Sequence, residues 1–132
     1  MTISQRRDRL RQRLVTAELD ALLVSDLVNV RYLSGFTGSN AALLILADRE
    51  TPVLATDGRY RTQAAEQALG AEIVIERACG PHLVSRAAEA GVRKLGFESH
   101  VVTVDGFAAL NRAAGEKCEL VHAGGTVERL RE

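Results

Sequence analysis

"NAALLILADRETPVLATDGRY" (Asn40–Tyr60) is the stretch on which the reading of the fold turns. Ala41 to Ala47 is an unbroken apolar run, with the length and composition of a strand buried on both faces. Asp48-Arg49-Glu50-Thr51 reads as a hairpin loop, and Pro52-Val53-Leu54-Ala55-Thr56 as the returning strand. Pro52 suits the first residue of a strand, where a missing N–H removes no ladder bond. This hairpin predicts one antiparallel strand pair.

The flanking sequence alternates strands with helices. Upstream, Ile3, Leu10, Leu14 and Ala17 recur at helical spacing over residues 3–18, and Ala21 to Val24 is a short apolar run that suits a buried strand. Asp26 is placed to cap a short helix over Leu27 to Leu33. Downstream, helices are expected over Tyr60–Leu69, Pro81–Ala90 and Thr103–Ala114, with Gly70, Gly91 and Gly115 just past their ends. Strands are expected over Glu72–Glu76, Arg93–Glu98 and Lys117–His122, and a last helical turn starts at Thr126. Strands separated by helices of about ten residues predict a single α/β domain over residues 1–132. Its sheet should be mixed but mostly parallel, flanked by helices in three layers.

Composition limits the functions open to such a domain. Hydrophobic residues are 46% and charged residues 26%, which fits a globular chain and not a disordered one. Seventeen basic residues balance seventeen acidic ones, so no global field draws the chain to nucleic acid or to an acidic membrane. Arg6, Arg7, Arg9, Arg11 and Arg13 flank the first helix and read as a solvated face whose stems lie over neighbours. No apolar run approaches the roughly 18 residues of a membrane helix, and no apolar segment follows the basic N-terminus as in a signal peptide. Cys79 and Cys118 lack a CxxC spacing and read as free buried thiols of a cytoplasmic protein.

Self-contained catalytic motifs are missing. His82, His100 and His122 form no HExxH, so no metal ligand is assigned among them. Gly38-Ser39-Asn40 has no second glycine and leads into a strand, whereas a nucleophile elbow runs from strand to helix. Gly35-Phe36-Thr37-Gly38-Ser39-Asn40 is neither GxGxxG nor a Walker loop, although its backbone N–H groups could form an anion nest. Asp57 is placed as a helix N-cap.

Four segments, "NVRYLSGFTGSNAALLIL", "ATDGRYRTQA", "KLGFES" and "VERLRE", together resemble the N-terminal domain of the creatinase/prolidase/aminopeptidase P family, in order and spacing over the whole chain. The likeness leans toward bacterial Xaa-Pro peptidases. It implies that a pita-bread catalytic domain would follow Glu132 and would carry a two-metal site of two Asp, one His and two Glu, manganese being the expected ion. This chain would hold no cofactor and no catalytic residue. The resemblance also implies a homodimer in which this domain overhangs the partner's active site and restricts substrates to short proline-containing peptides. On that basis Phe36, Thr37, Arg59 and Tyr60 are expected at the substrate entrance or interface. A planar guanidinium at Arg59 would suit a substrate carboxylate; the other readings are a partner for Asp57 or a helix-terminal surface residue for Arg59, and core or interface packing for Tyr60.

Two other functions fit the residues. A stand-alone peptide-binding module that has lost peptidase activity would share this fold, as in a related histone-chaperone domain. A small anion-binding α/β protein would use the loop Gly35–Asn40.

Overall fold

The computed structural model describes all residues, Met1–Glu132. Helix α1 (Ile3–Thr16) opens with Thr2, whose hydroxyl accepts from the Gln5 N–H while the Gln5 side chain accepts from the Thr2 N–H. This capping box satisfies two N–H groups that the first turn would otherwise leave open. Strand β1 (Ala21–Val24) follows, then α2 (Leu27–Ser34), β2 (Ala41–Leu46) and β3 (Val53–Thr56). A 3₁₀ turn at Gly58–Tyr60 leads into α3 (Arg61–Gln67), then β4 (Glu72–Ile75), α4 (Cys79–Glu89), β5 (Lys94–Phe97), α5 (Val104–Ala114), β6 (Glu119–His122) and α6 (Thr126–Arg131).

The six strands form one sheet in the order β4-β3-β2-β1-β5-β6. Pairs β3–β4, β1–β5 and β5–β6 are parallel; β1–β2 and β2–β3 are antiparallel. The sheet is mixed and mostly parallel, as expected. The expectation of one antiparallel pair is corrected to two, because β2 is inserted between β1 and β3 and opposes both. The hairpin reveals the β2–β3 pairing, but β1 and β2 meet only after the chain doubles back through α2.

The core is split by the sheet. On one face, Leu22, Val24, Leu43, Ile45 and Leu54 pack with Leu10 and Leu14 of α1, Val30 and Leu33 of α2, Ala64 of α3, and Val127 and Leu130 of α6. On the other, Leu23, Leu44, Val53, Leu95 and Phe97 pack with Leu83, Val84 and Ala87 of α4 and Leu110 of α5. All six residues of β2 are buried, which explains their continuous apolarity.

Several boundaries differ from expectation. The helix expected over Pro81–Ala90 begins at Cys79, with Pro81 in its first turn, where the missing N–H has no intrahelical acceptor to lose. Tyr60 belongs to the 3₁₀ turn that precedes α3. Arg7 is not on a solvated face: it is 8% exposed, and Nη1 donates to the Leu33 carbonyl at 3.0 Å. It thereby satisfies a carbonyl in the last turn of α2, which has no helical partner. Both cysteines are free and buried, as expected.

Candidate functional site: the carboxyl edge of the sheet

Five parallel strands end at one edge of the sheet, and the reversed β2 begins there. The edge therefore collects the segments after β1, β3, β4, β5 and β6 and the loop before β2. In open α/β sheets the crevice at this edge is where ligands bind. Two polar clusters occupy it.

The first is built on Asp57, just past β3. Its carboxylate accepts from the Arg59 N–H at 3.0 Å, capping the 3₁₀ turn as expected, and from Asn40 Nδ2 at 2.9 Å. It also forms a two-point pair with Arg59, Nε to Oδ1 and Nη2 to Oδ2, both 2.9 Å. These contacts, Arg59's foremost and Asn40's next, hold the Asp57 carboxyl well below the usual carboxylate range, and Asp57 in turn raises the Arg59 pKa. The Arg59 side chain remains 69% exposed and its Nη1 makes no hydrogen bond inside the chain. Its guanidinium carbon lies 5.1 Å from the Tyr60 ring centroid. The Tyr60 hydroxyl shares a 2.5 Å hydrogen bond with Ser39 Oγ, which lowers the phenol's pKa.

The loop before β2 is tied to the same region. Thr37 is exposed, and its N–H donates to Gln67 Oε1 at 2.9 Å while its hydroxyl accepts from Gln63 and Gln67, each at 3.0 Å. Phe36 faces inward at 1% exposure, its ring edge-on to Tyr60 at 5.7 Å between centroids. Of the four residues expected at an entrance, Arg59 and Tyr60 lie side by side, Thr37 is tied instead to Gln63 and Gln67 of α3, and Phe36 is buried rather than presented. Gly38 is held by shape: a Cβ there would stand 2.3 Å from Phe36 Cζ. The groove beside Arg59 is floored by Asn40, Ile75 and Arg77. Cys79 Sγ donates to the Glu76 carbonyl at 3.1 Å, and burial pushes its pKa up to about 11. It is a thiol at neutral pH and no nucleophile.

The second cluster, around Glu98 at the end of β5, was not found from the sequence. Glu98 is 1% exposed; Oε1 accepts from the backbone N–H groups of Ser25 (2.6 Å) and Asp26 (2.8 Å), and Oε2 from Asn29 Nδ2 (2.6 Å). Burial raises the pKa of its carboxyl. Fully buried Asn29 also donates to Glu128 Oε2 at 3.0 Å and accepts from Arg131 Nη1 at 2.8 Å. His100 Nε2 lies 2.8 Å from the same Glu128 oxygen. Burial pushes the Glu128 carboxyl up, but the hydrogen bonds from Asn29 and His100 outweigh it and hold the group below its ordinary range. The hydrogen-bonded partners lie 28 to 102 positions apart along the chain, so no spacing signal joins them; a buried-type acid at the end of an apolar strand, "KLGFE", was the sole hint.

The five-residue dinuclear metal set implied by the resemblance belongs to the domain expected after Glu132. The group of His, Asp and Glu that converges is Asp26, His100 and Glu128, with one donor atom each. Three donors are too few to hold two ions.

A three-layer α/β domain with one reversed central strand, its polar residues gathered at the carboxyl edge, is the architecture of an N-terminal domain found in a group of peptidases. The chain belongs to the Creatinase/Prolidase N-terminal domain family, which matches residues 6–132. It is similar, at 64% identity over 96% of this chain and 98% of the other (TM-score 0.93), to the N-terminal domain of the cytoplasmic peptidase PepQ from Mycobacterium tuberculosis H37Rv. It is 31% identical to the Xaa-Pro dipeptidase from Bacillus anthracis, covering 98% of this chain and 36% of that one (TM-score 0.87). It is also 34% identical over 117 residues to the Bacillus subtilis (strain 168) protein named "Uncharacterized peptidase YqhT", covering 86% of this chain. The chain spans 31% of the length of YqhT.

Proposed function

We propose that this chain is the non-catalytic N-terminal domain of a cytoplasmic, metal-dependent Xaa-Pro peptidase, and that it supports dimerisation and shapes substrate access. The pita-bread catalytic domain with its divalent metal, manganese in our reading, would follow Glu132. Substrates are short peptides with proline after the scissile bond.

The observation that carries the reading is the state of Arg59. Asp57 occupies the Nε–Nη2 side of the guanidinium and fixes its plane. The Nη1–Nη2 side is left facing solvent, as a two-point receptor for a carboxylate. A dipeptide carries such a carboxylate one residue from its scissile bond. Tyr60 lies beside it, with Phe36 packed edge-on against the Tyr60 ring, and Thr37 is the exposed residue of the neighbouring loop.

The reading predicts that the purified 132-residue chain self-associates by analytical ultracentrifugation and leaves Xaa-Pro dipeptides intact with added manganese. In the full-length enzyme, Arg59→Ala should raise KM for Xaa-Pro dipeptides more than it lowers kcat. Turnover of dipeptide by the 132-residue chain alone would overturn it.

A further inference from the structure

We infer, on the reading of Arg59 given above, that Asn40 is a positioning residue for the carboxylate receptor and acts on Arg59 through Asp57.

The placement comes from the hairpin. Strands β2 and β3 pair in a register that sets Ala41 against Thr56. One step further along that antiparallel ladder, Asn40 stands opposite Asp57, and side chains so opposed are near neighbours. Asn40 Nδ2 donates to Asp57 Oδ2 at 2.9 Å. The amide must turn its nitrogen that way, because a carboxylate has no proton to give. The same nitrogen reaches the Arg77 carbonyl at 3.4 Å, so one amide joins the ends of β2, β3 and β4. The backbone of Asn40 is held separately: its carbonyl accepts from the hydroxyl of fully buried Thr56 at 2.6 Å.

Each link fixes the next. Asp57 Oδ1 accepts from the N–H and the Nε of Arg59, and Oδ2 accepts from Arg59 Nη2. Those partners lie two residues away, so these bonds tie the pair to its own turn and not to the sheet. Asn40 supplies the bond from outside that turn. With Oδ2 anchored across the hairpin, the plane of the carboxylate is set, and two-point pairing passes that plane to the guanidinium. Arginine has more rotamer freedom than most side chains. A guanidinium left loose would surrender that freedom when a ligand binds, at a cost in affinity. Truncating Asn40 leaves the charge of Arg59 and the Thr56–Asn40 backbone contact in place; it loosens where the receptor points.

The test compares two substrates and two observables. In the full-length enzyme, Asn40→Ala should raise KM for alanyl-proline by about three- to tenfold, as expected when one more side chain must be immobilised on binding, with a smaller change in kcat. Arg59→Ala should raise it at least as far. Alanyl-prolinamide offers no carboxylate, so the preference for the free acid over the amide should fall in both variants; a general loss of fold would leave that preference intact. In the 132-residue chain, Asn40→Ala should shift the Arg59 Nε–H resonance and speed its exchange with water. A KM raised by Arg59→Ala but not by Asn40→Ala overturns the inference and leaves the reading of Arg59 standing, as does an Nε–H signal that Asn40→Ala does not move. A KM unchanged by Arg59→Ala overturns both. Should Asn40→Ala fail to fold, Asp57→Asn breaks the same chain of contacts one link on, and an unchanged KM there overturns the inference equally.

Discussion

Arg59 and Asp57 face each other across a two-point pair, with both N···O distances at 2.9 Å, yet one partner is 69% exposed and the other 10%. The carboxylate is the fixed half and the guanidinium the presented half. Asp57 has its pKa depressed in the folded chain, so its contribution to stability is present above the unfolded carboxyl value of about 4 and is lost as pH falls through the folded value. The melting-temperature difference between the wild type and Asp57→Asn should therefore be constant from about pH 5 to 8 and narrow below about pH 4. Thermal denaturation across that range checks it.

Glu98 has the opposite sign. Burial raises its folded pKa, so its contribution is greatest below the unfolded value of about 4.3 and shrinks as pH rises through the folded value. Three donors face its oxygens, and Glu98→Gln would turn an N–H group toward at least one of them. Although it removes a buried charge, this variant should cost about 1–3 kcal/mol at pH 7. Urea denaturation should show that deficit growing as the pH is lowered.

Gly38, in the loop before β2, and Gly58, in the 3₁₀ turn after β3, differ in their space. A Cβ at Gly38 meets the buried Phe36 ring, whereas at Gly58 the nearest atom, Ile75 Cγ2, is 4.0 Å away. Gly38→Ala should destabilise by about 1–3 kcal/mol, and Gly58→Ala should change stability by less than about 0.5 kcal/mol or improve it. Paired denaturant curves distinguish the two.

Arg7 and Arg13 provide a second contrast on one helix. Arg7→Ala strands the Leu33 carbonyl and should cost about 1–3 kcal/mol, while exposed Arg13→Ala should stay within about 0.5 kcal/mol. Equal costs would mean that the Arg7 contact contributes nothing to the packing of α1 on α2.

The difference between those arginines also shows where the sequence is legible. Strands and helices declare themselves through local patterns: the apolar run Ala41–Leu46, the Thr103 cap whose hydroxyl accepts from the Gly106 N–H, the glycine at residue 35 that ends α2 with a φ of 84°. The Asp57–Arg59 pair is readable for the same reason, since its members are two residues apart. Arg7 cannot be told from Arg13 by such patterns, because its burial depends on how α2 lies over α1. Nor can the Glu98–Asn29–Glu128–His100 cluster be read, because tertiary folding alone assembles it. The fold is written in local signals; the polar edge is written mainly in long-range ones.

The reversal of β2 also bears on the order of assembly. Because β2 turns back between β1 and β3, and β4 follows one short helix later, residues 21–75 pair almost in chain order. By contrast, β1 must wait for Leu95 to find Ala21 across more than half the chain. Closing a longer loop costs more entropy and slows folding. The N-terminal four strands should thus gain amide protection before β5 and β6 in pulse-labelled hydrogen exchange. The second half of the domain would then build onto a preformed template, and Asn29 would be in place before Glu98 arrives to meet it.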